Sequence, residues 1–203
     1  MNKELRTRMI EVALTENEFL RYSEAARILR IKADRLDHSR ELAEALDEIS
    51  TYEHEQGRPL LSALVVHQDD LQPGGGFFKM AKRVGKQSPS EDNDAFYFAE
   101  LRNLRHYWQD HVRYTVTRDN GLTTDAEFQA WDALLTERGV KRRSLQRRVR
   151  QPDGTLSVGM VARHAWSDRG EAEAFAALLS SRTRKKWRVN VLADWDIEIE
   201  TRK

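Results

Sequence analysis

The stretch from Gly57 to Phe78, GRPLLSALVVHQDDLQPGGGFF, limits the folding options of this chain more than any other. Its apolar run, Leu60 to Val66, is broken only by Ser62. A run of that length between turn signals predicts a buried strand over 60–67. Gln68 to Gly76 then predicts a loop, because Pro73 and three successive glycines favour a bend and reach backbone angles that other residues resist. Phe77 to Val84 fits a return strand or a short helix.

Three helices are predicted before that stretch. In 2–17, Leu5, Met9, Val12 and Ala13 recur at helical spacing and form one apolar face. Ser23 is placed to cap a second helix, Glu24 to about Ile31, whose inner face is Ala25, Ala26 and Leu29. A polar turn, 32–37, leads to a third helix over 38–54, with Leu42, Leu46, Ile49 and Tyr52 or Glu53 on one side. Gly57 stops it and Pro59 prevents its return.

The polar segment KQSPSEDN, 86–93, predicts a boundary or linker. A helix over 94–111 follows, with Phe98, Leu101, Leu104, Trp108 and Val112 as its apolar stripe. Thr124 caps a helix over 125–137 that buries Phe128, Trp131, Leu134 and Leu135. Leu145 to Arg150 and Thr155 to Val161 flank Pro152-Asp153-Gly154 and predict a hairpin. A helix over 170–181 presents Ala172, Phe175, Ala176 and Leu179. Trp187 to Leu192 alternates like a strand, with a second strand predicted at 195–199. The fold class is therefore α+β, in two parts, about 1–86 and 91–203.

Composition narrows the function. With 39% hydrophobic residues the chain can fill a core, and with 33% charged residues its surface is strongly solvated. Net charge is only +1, so any basic face must be local. Residues 1–90 carry 14 basic and 15 acidic side chains and residues 91–203 carry 20 and 18, so this division yields no charge contrast. There are no cysteines, which removes disulfides, thiolate metal sites and cysteine nucleophiles and suits a reducing compartment such as the cytoplasm. No apolar run reaches the ~20 residues of a membrane span, and the N-terminal segment has no secretory apolar core.

The order helix, helix, helix, strand, Gly-rich turn, with Tyr22-Ser23-Glu24-Ala25-Ala26 opening the second helix, Leu42 to Ile49 on the third and LLSALVVH before PGGG, resembles a winged helix-turn-helix domain over about 5–85. The resemblance implies DNA binding, with the third helix in the major groove and a wing near Gly74, Gly75 and Gly76 on the backbone. Two departures stand out. The turn before the third helix is long, and Glu41, Glu44, Asp47, Glu48, Glu53 and Glu55 outnumber Arg40 there, a poor surface for phosphates. The layout also resembles the DNA-binding half of alkylguanine alkyltransferases. Arg58-Pro59-Leu60-Leu61 stands where their Pro-x-His-Arg would lie, and without cysteine the alkyl transfer is excluded.

Polyanion chemistry is concentrated elsewhere. Arg138, Lys141, Arg142, Arg143, Arg147, Arg148 and Arg150 run without an intervening acid. Arg182, Arg184, Lys185, Lys186 and Arg188 follow, with Trp187 among them. Guanidiniums grip phosphates bidentately, and neutralising phosphates releases counterions. Together with Gly74, Gly75 and Gly76, whose amides could cradle an anion, these are the predicted nucleic-acid contacts. The competing expectation leaves the cations as solvated faces or pairs them with Asp194, Asp196, Glu198 and Glu200.

The sequence thus predicts a non-enzymatic, cytoplasmic nucleic-acid-binding protein of a prokaryote, phage or mobile element, with DNA favoured over RNA and no cofactor or membrane partner. A protein–protein adaptor or inhibitor in phage defence or counter-defence is the alternative. A metal-dependent nuclease using His67, Asp69 and Asp70 is a third reading.

Overall fold

The computed structural model describes residues 1–31, 38–118, 124–139, 143–150, 156–163 and 165–191. Helices and short sheets mix in an α+β arrangement, in two compact units, Met1–Val112 and Arg113–Lys203. No described helix is long and apolar enough to cross a membrane.

The first unit begins with α1 (Lys3–Ala13), capped by Asn2, whose Oδ1 accepts the Leu5 N–H at 2.9 Å. Leu5, Met9, Ile10, Val12 and Ala13 are fully buried. The helix stops short of its predicted end at 17, and Asn17 itself sits at φ 60°, a left-handed angle that asparagine tolerates. β1 (Leu20–Arg21) leads directly into α2 (Tyr22–Ile28). Ser23 is not the cap: it lies in the first turn, and the Glu24 carboxylate accepts the Arg21 N–H at 2.9 Å. α3 (His38–Glu55) is close to prediction.

The predicted strand over 60–67 is corrected. Leu61–Leu64 forms a 3-10 turn, and only Val65–Val66 is a strand, β2, which pairs in parallel with β1 (Leu20 opposite Val65, Arg21 opposite Val66). The predicted loop is shorter too. Gly75 and Gly76 open a helix, α4 (Gly75–Arg83), with Gly74 at its N-cap position. Where a wing would bend, the chain coils instead.

The predicted boundary at 86–93 lies inside the first unit. Gln87 is buried, and its Nε2 donates to Asn93 Oδ1 at 2.9 Å and to the Glu91 carbonyl at 3.3 Å, which ties the polar segment down. α5 (Asn93–His111) follows, capped by Asp92. Its buried residues are Phe96, Tyr97, Glu100, Leu104 and Trp108, whereas Phe98 is 55% exposed. The stripe is turned from the predicted one because Glu100 points inward and accepts the Leu60 N–H at 2.7 Å. Arg105, off the stripe, donates to the carbonyls of Thr15 at 2.5 Å and Glu18 at 2.6 Å and holds α5 to the chain leaving α1.

The centre of this unit is charged. Arg6 Nε donates to Glu53 Oε1 at 2.5 Å and Arg58 Nε to Glu53 Oε2 at 2.6 Å, with all three side chains buried. Both guanidiniums lie against the rings of Tyr52 (5.3 and 5.2 Å) and Trp108 (5.7 and 6.0 Å). Burial disfavours the Arg58 charge, and Glu53 and Tyr52 outweigh it, so the guanidinium is held above its ordinary pKa.

The second unit contains β3 (Tyr114–Arg118), α6 (Asp125–Glu137), β4 (Arg143–Arg150), β5 (Leu156–Arg163), α7 (Arg169–Thr183) and β6 (Trp187–Val191). β3 and β6 pair antiparallel, Tyr114 opposite Val191 through Arg118 opposite Trp187. α7 packs on both strands and on α6. The core is aromatic: the Phe175 ring lies 4.9 Å from Trp166 and 6.0 Å, edge-on, from Trp131. Thr124 caps α6 as predicted, and Glu127, which was not predicted to take part, completes the cap, each side chain accepting the other's backbone N–H (3.3 and 2.9 Å). The predicted burial of Ala172, Phe175, Ala176 and Leu179 on α7 is found. β3 was not predicted, and the predicted strand at 195–199 lies outside the described residues.

Candidate nucleic-acid interface

β4 and β5 make a two-stranded antiparallel sheet of their own. The register runs from Arg143 opposite Arg163 to Arg150 opposite Leu156, with Arg147 opposite Gly159 and Arg148 opposite Val158. Arg143, Arg147, Arg148 and Arg150, predicted from sequence, therefore share one strand. Arg163 joins them only through the pairing, since it stands apart from both basic clusters in the sequence. The ribbon holds five arginines and no acidic residue among its sixteen positions. Eight residues at ~3.4 Å each make it roughly 27 Å long.

Arg184, Lys185 and Lys186 form the exposed turn between α7 and β6. Arg184 closes α7 in a left-handed conformation, φ 52° and ψ 32°. This turn belongs to the β3–β6 sheet and not to the ribbon, so the two basic clusters do not share one sheet. Arg182 is engaged: both its Nη atoms donate to the Glu137 carboxylate at 2.8 Å. That fork holds the Glu137 carboxyl below its ordinary pKa and the Arg182 guanidinium above its own. Lys141 and Arg142, like Asp194, Asp196, Glu198 and Glu200, lie outside the described residues.

Gly74, Gly75 and Gly76 belong to the first unit. The Gly74 N–H is already committed, donating to the Tyr22 hydroxyl at 2.9 Å. Burial pushes the Tyr22 phenol pKa up, against the pull of that bond. The His67 ring packs on Tyr22 with centroids 4.7 Å apart, Asp70 Oδ1 accepts the Gln72 N–H at 3.0 Å, and Asp69 is exposed. Among the described residues no three histidines or acids come together in a metal-holding group, so His67, Asp69 and Asp70 are not assembled as the nuclease reading requires.

The unit boundary also redraws the charge. Met1–Val112 carries 16 Lys and Arg against 20 Asp and Glu, a net of −4; Arg113–Lys203 carries 18 against 13, a net of +5. The contrast arises because residues 91–112, which hold α5, carry 2 basic side chains against 5 acidic ones. Compared with known protein families, curated proteins and solved structures, the chain matches none of them.

Proposed function

We propose that this chain binds nucleic acid, duplex DNA before RNA, through its second unit. The observation that supports the reading is the acid-free ribbon β4–β5 with five arginines. The major groove of B-DNA admits a two-stranded ribbon, whereas the A-form RNA major groove is too narrow for side chains to read. Arg143 and Arg163 hold directly opposite register positions. Like charges so placed destabilise a ladder, and a bound polyanion removes that cost. Arg184, Lys185 and Lys186 add exposed positive charge in the same unit. The acidic first unit gives α3 no such role.

Fluorescence anisotropy with duplex DNA, single-stranded DNA and RNA across a salt series tests the reading. Tightest binding to the duplex is expected, with log Kobs falling linearly in log salt at about 0.9 per neutralised phosphate. Replacing Arg143, Arg147, Arg148 and Arg150 together by Ala weakens binding and flattens that slope by several units. Unchanged affinity and slope in this variant would reject the ribbon as the contact.

A further inference from the structure

A groove of about 1210 Å³ opens in the first unit between α2, α3 and α4. Leu42, Leu46, Phe77 and Met80 line it as an apolar floor. Glu44, Asp47, Glu48 and Glu55 line it from α3, against one lining guanidinium, that of Arg83. Its volume exceeds the ~300–1,000 Å³ typical of small-molecule pockets. α3 contributes lining residues from Leu42 to Glu55, about 20 Å of axis at ~1.5 Å per residue. The groove is therefore long, apolar below and acidic along one wall.

The wall charges are only partly answered from within. Arg83 Nη2 donates to both oxygens of Asp47 (2.7 and 2.8 Å), the Met1 ammonium to Glu48 (2.5 Å), and Arg40, one turn earlier on α3, to Glu44 (2.9 Å). Among the described residues Glu55 makes no ion pair. The unit as a whole stays at −4. A polyanion is repelled by such a wall, and an uncharged apolar segment leaves Glu55 unanswered.

We propose that this groove docks a basic amphipathic helix of a protein partner. Apolar side chains at i, i+3 or i+4 and i+7 enter the floor, and flanking Lys or Arg residues meet the α3 carboxylates. Met80, with its unbranched thioether, adapts the floor to differently shaped anchors. This site is independent of the basic ribbon.

The probe is a fluorescein-labelled Leu/Lys amphipathic peptide of about four turns, with a sequence-scrambled isomer and a Leu/Glu counterpart as controls. Saturable binding of the Leu/Lys peptide alone is expected. Ala43→Arg, a change at an exposed lining position, and Glu55→Lys are each expected to weaken it by about tenfold or more. In the intact chain labelled with ¹³C-methyl methionine, the Met80 signal moves on titration, while Met9, fully buried in α1, serves as the unshifted reference. Equal binding of the scrambled or Leu/Glu peptide, or a Met80 signal that stays put, overturns the proposal. Concentration-dependent dimerisation abolished by Ala43→Arg, with no peptide binding, gives the groove to a second copy of the chain and also overturns it.

Discussion

Arg58 and Glu53 meet across 2.6 Å in the interior of the first unit, with both side chains buried. The same carboxylate receives Arg6 on its other oxygen, so one anion answers two cations. Buried pairs contribute little net stability over a well-packed apolar alternative, but removing one member leaves uncompensated charge. Glu53→Ala should therefore cost about 3–5 kcal/mol, measured by urea unfolding. Loss of under 1 kcal/mol would show that water reaches the guanidiniums.

Arg184 occupies a left-handed position that costs a non-glycine residue about 1–2 kcal/mol. Arg184→Gly should raise the stability of the chain by about 0.5–1 kcal/mol and at the same time weaken nucleic-acid binding by removing a cation. The two effects have opposite signs, so a thermal melt and an anisotropy titration on one sample separate them. A variant that loses stability would show that the Arg184 side chain does more than close the helix.

Glu127 couples the second unit to pH. The Thr124 backbone N–H is the main cause holding its carboxyl below the ordinary value; burial opposes this, and the Thr124 side chain and Arg118 reinforce it. A depressed folded value favours the ionised form, so the stabilisation is complete above the unfolded carboxylate value of ~4.3. It is lost as pH falls through the folded value. Glu127→Gln removes this dependence, and the urea midpoints of the variant and the native chain should converge as pH drops below about 4. Thr124→Ala should cost roughly 0.5–2 kcal/mol at neutral pH through loss of the cap. Parallel pH profiles for Glu127→Gln and the native chain would contradict this account.

Gly74 and Tyr22 form a testable pair. A Cβ at Gly74 would stand 2.9 Å from the Tyr22 hydroxyl oxygen and 3.3 Å from His67 Nε2. Gly74→Ala should therefore displace the phenol and break its bond to the backbone N–H, at a cost of about 1 kcal/mol. Tyr22→Phe removes the same bond and the obstructing oxygen. The double variant should lose less than the two single losses combined, a non-additivity read by a double-mutant cycle.

Most helices were legible because their apolar positions recur at the helical period, and Thr124 was legible as a cap because a cap is set by local sequence. What failed was whatever depended on distant partners. Every residue from Leu60 to Val66 is buried, so the run carries no period to separate a strand from a 3-10 turn. Glu100 is polar yet faces inward to serve Leu60, which hid the true stripe of α5. Arg6 and Glu53 are 47 positions apart, and no spacing rule joins them. At the proposed interface the β4 arginines were visible as a cluster, while Arg163 needed the hairpin register. Tyr114–Arg118, YTVTR, had the β-branched signature of a strand but is short and follows a long helix.

Trp108 lies over guanidiniums that come from α1 and from the segment after α3, so the opening and closing helices of the first unit complete the same interior. A chain that ends before Trp108 leaves the Arg6–Glu53–Arg58 cluster without part of its aromatic cover, so truncation inside α5 should destabilise the helices that precede it.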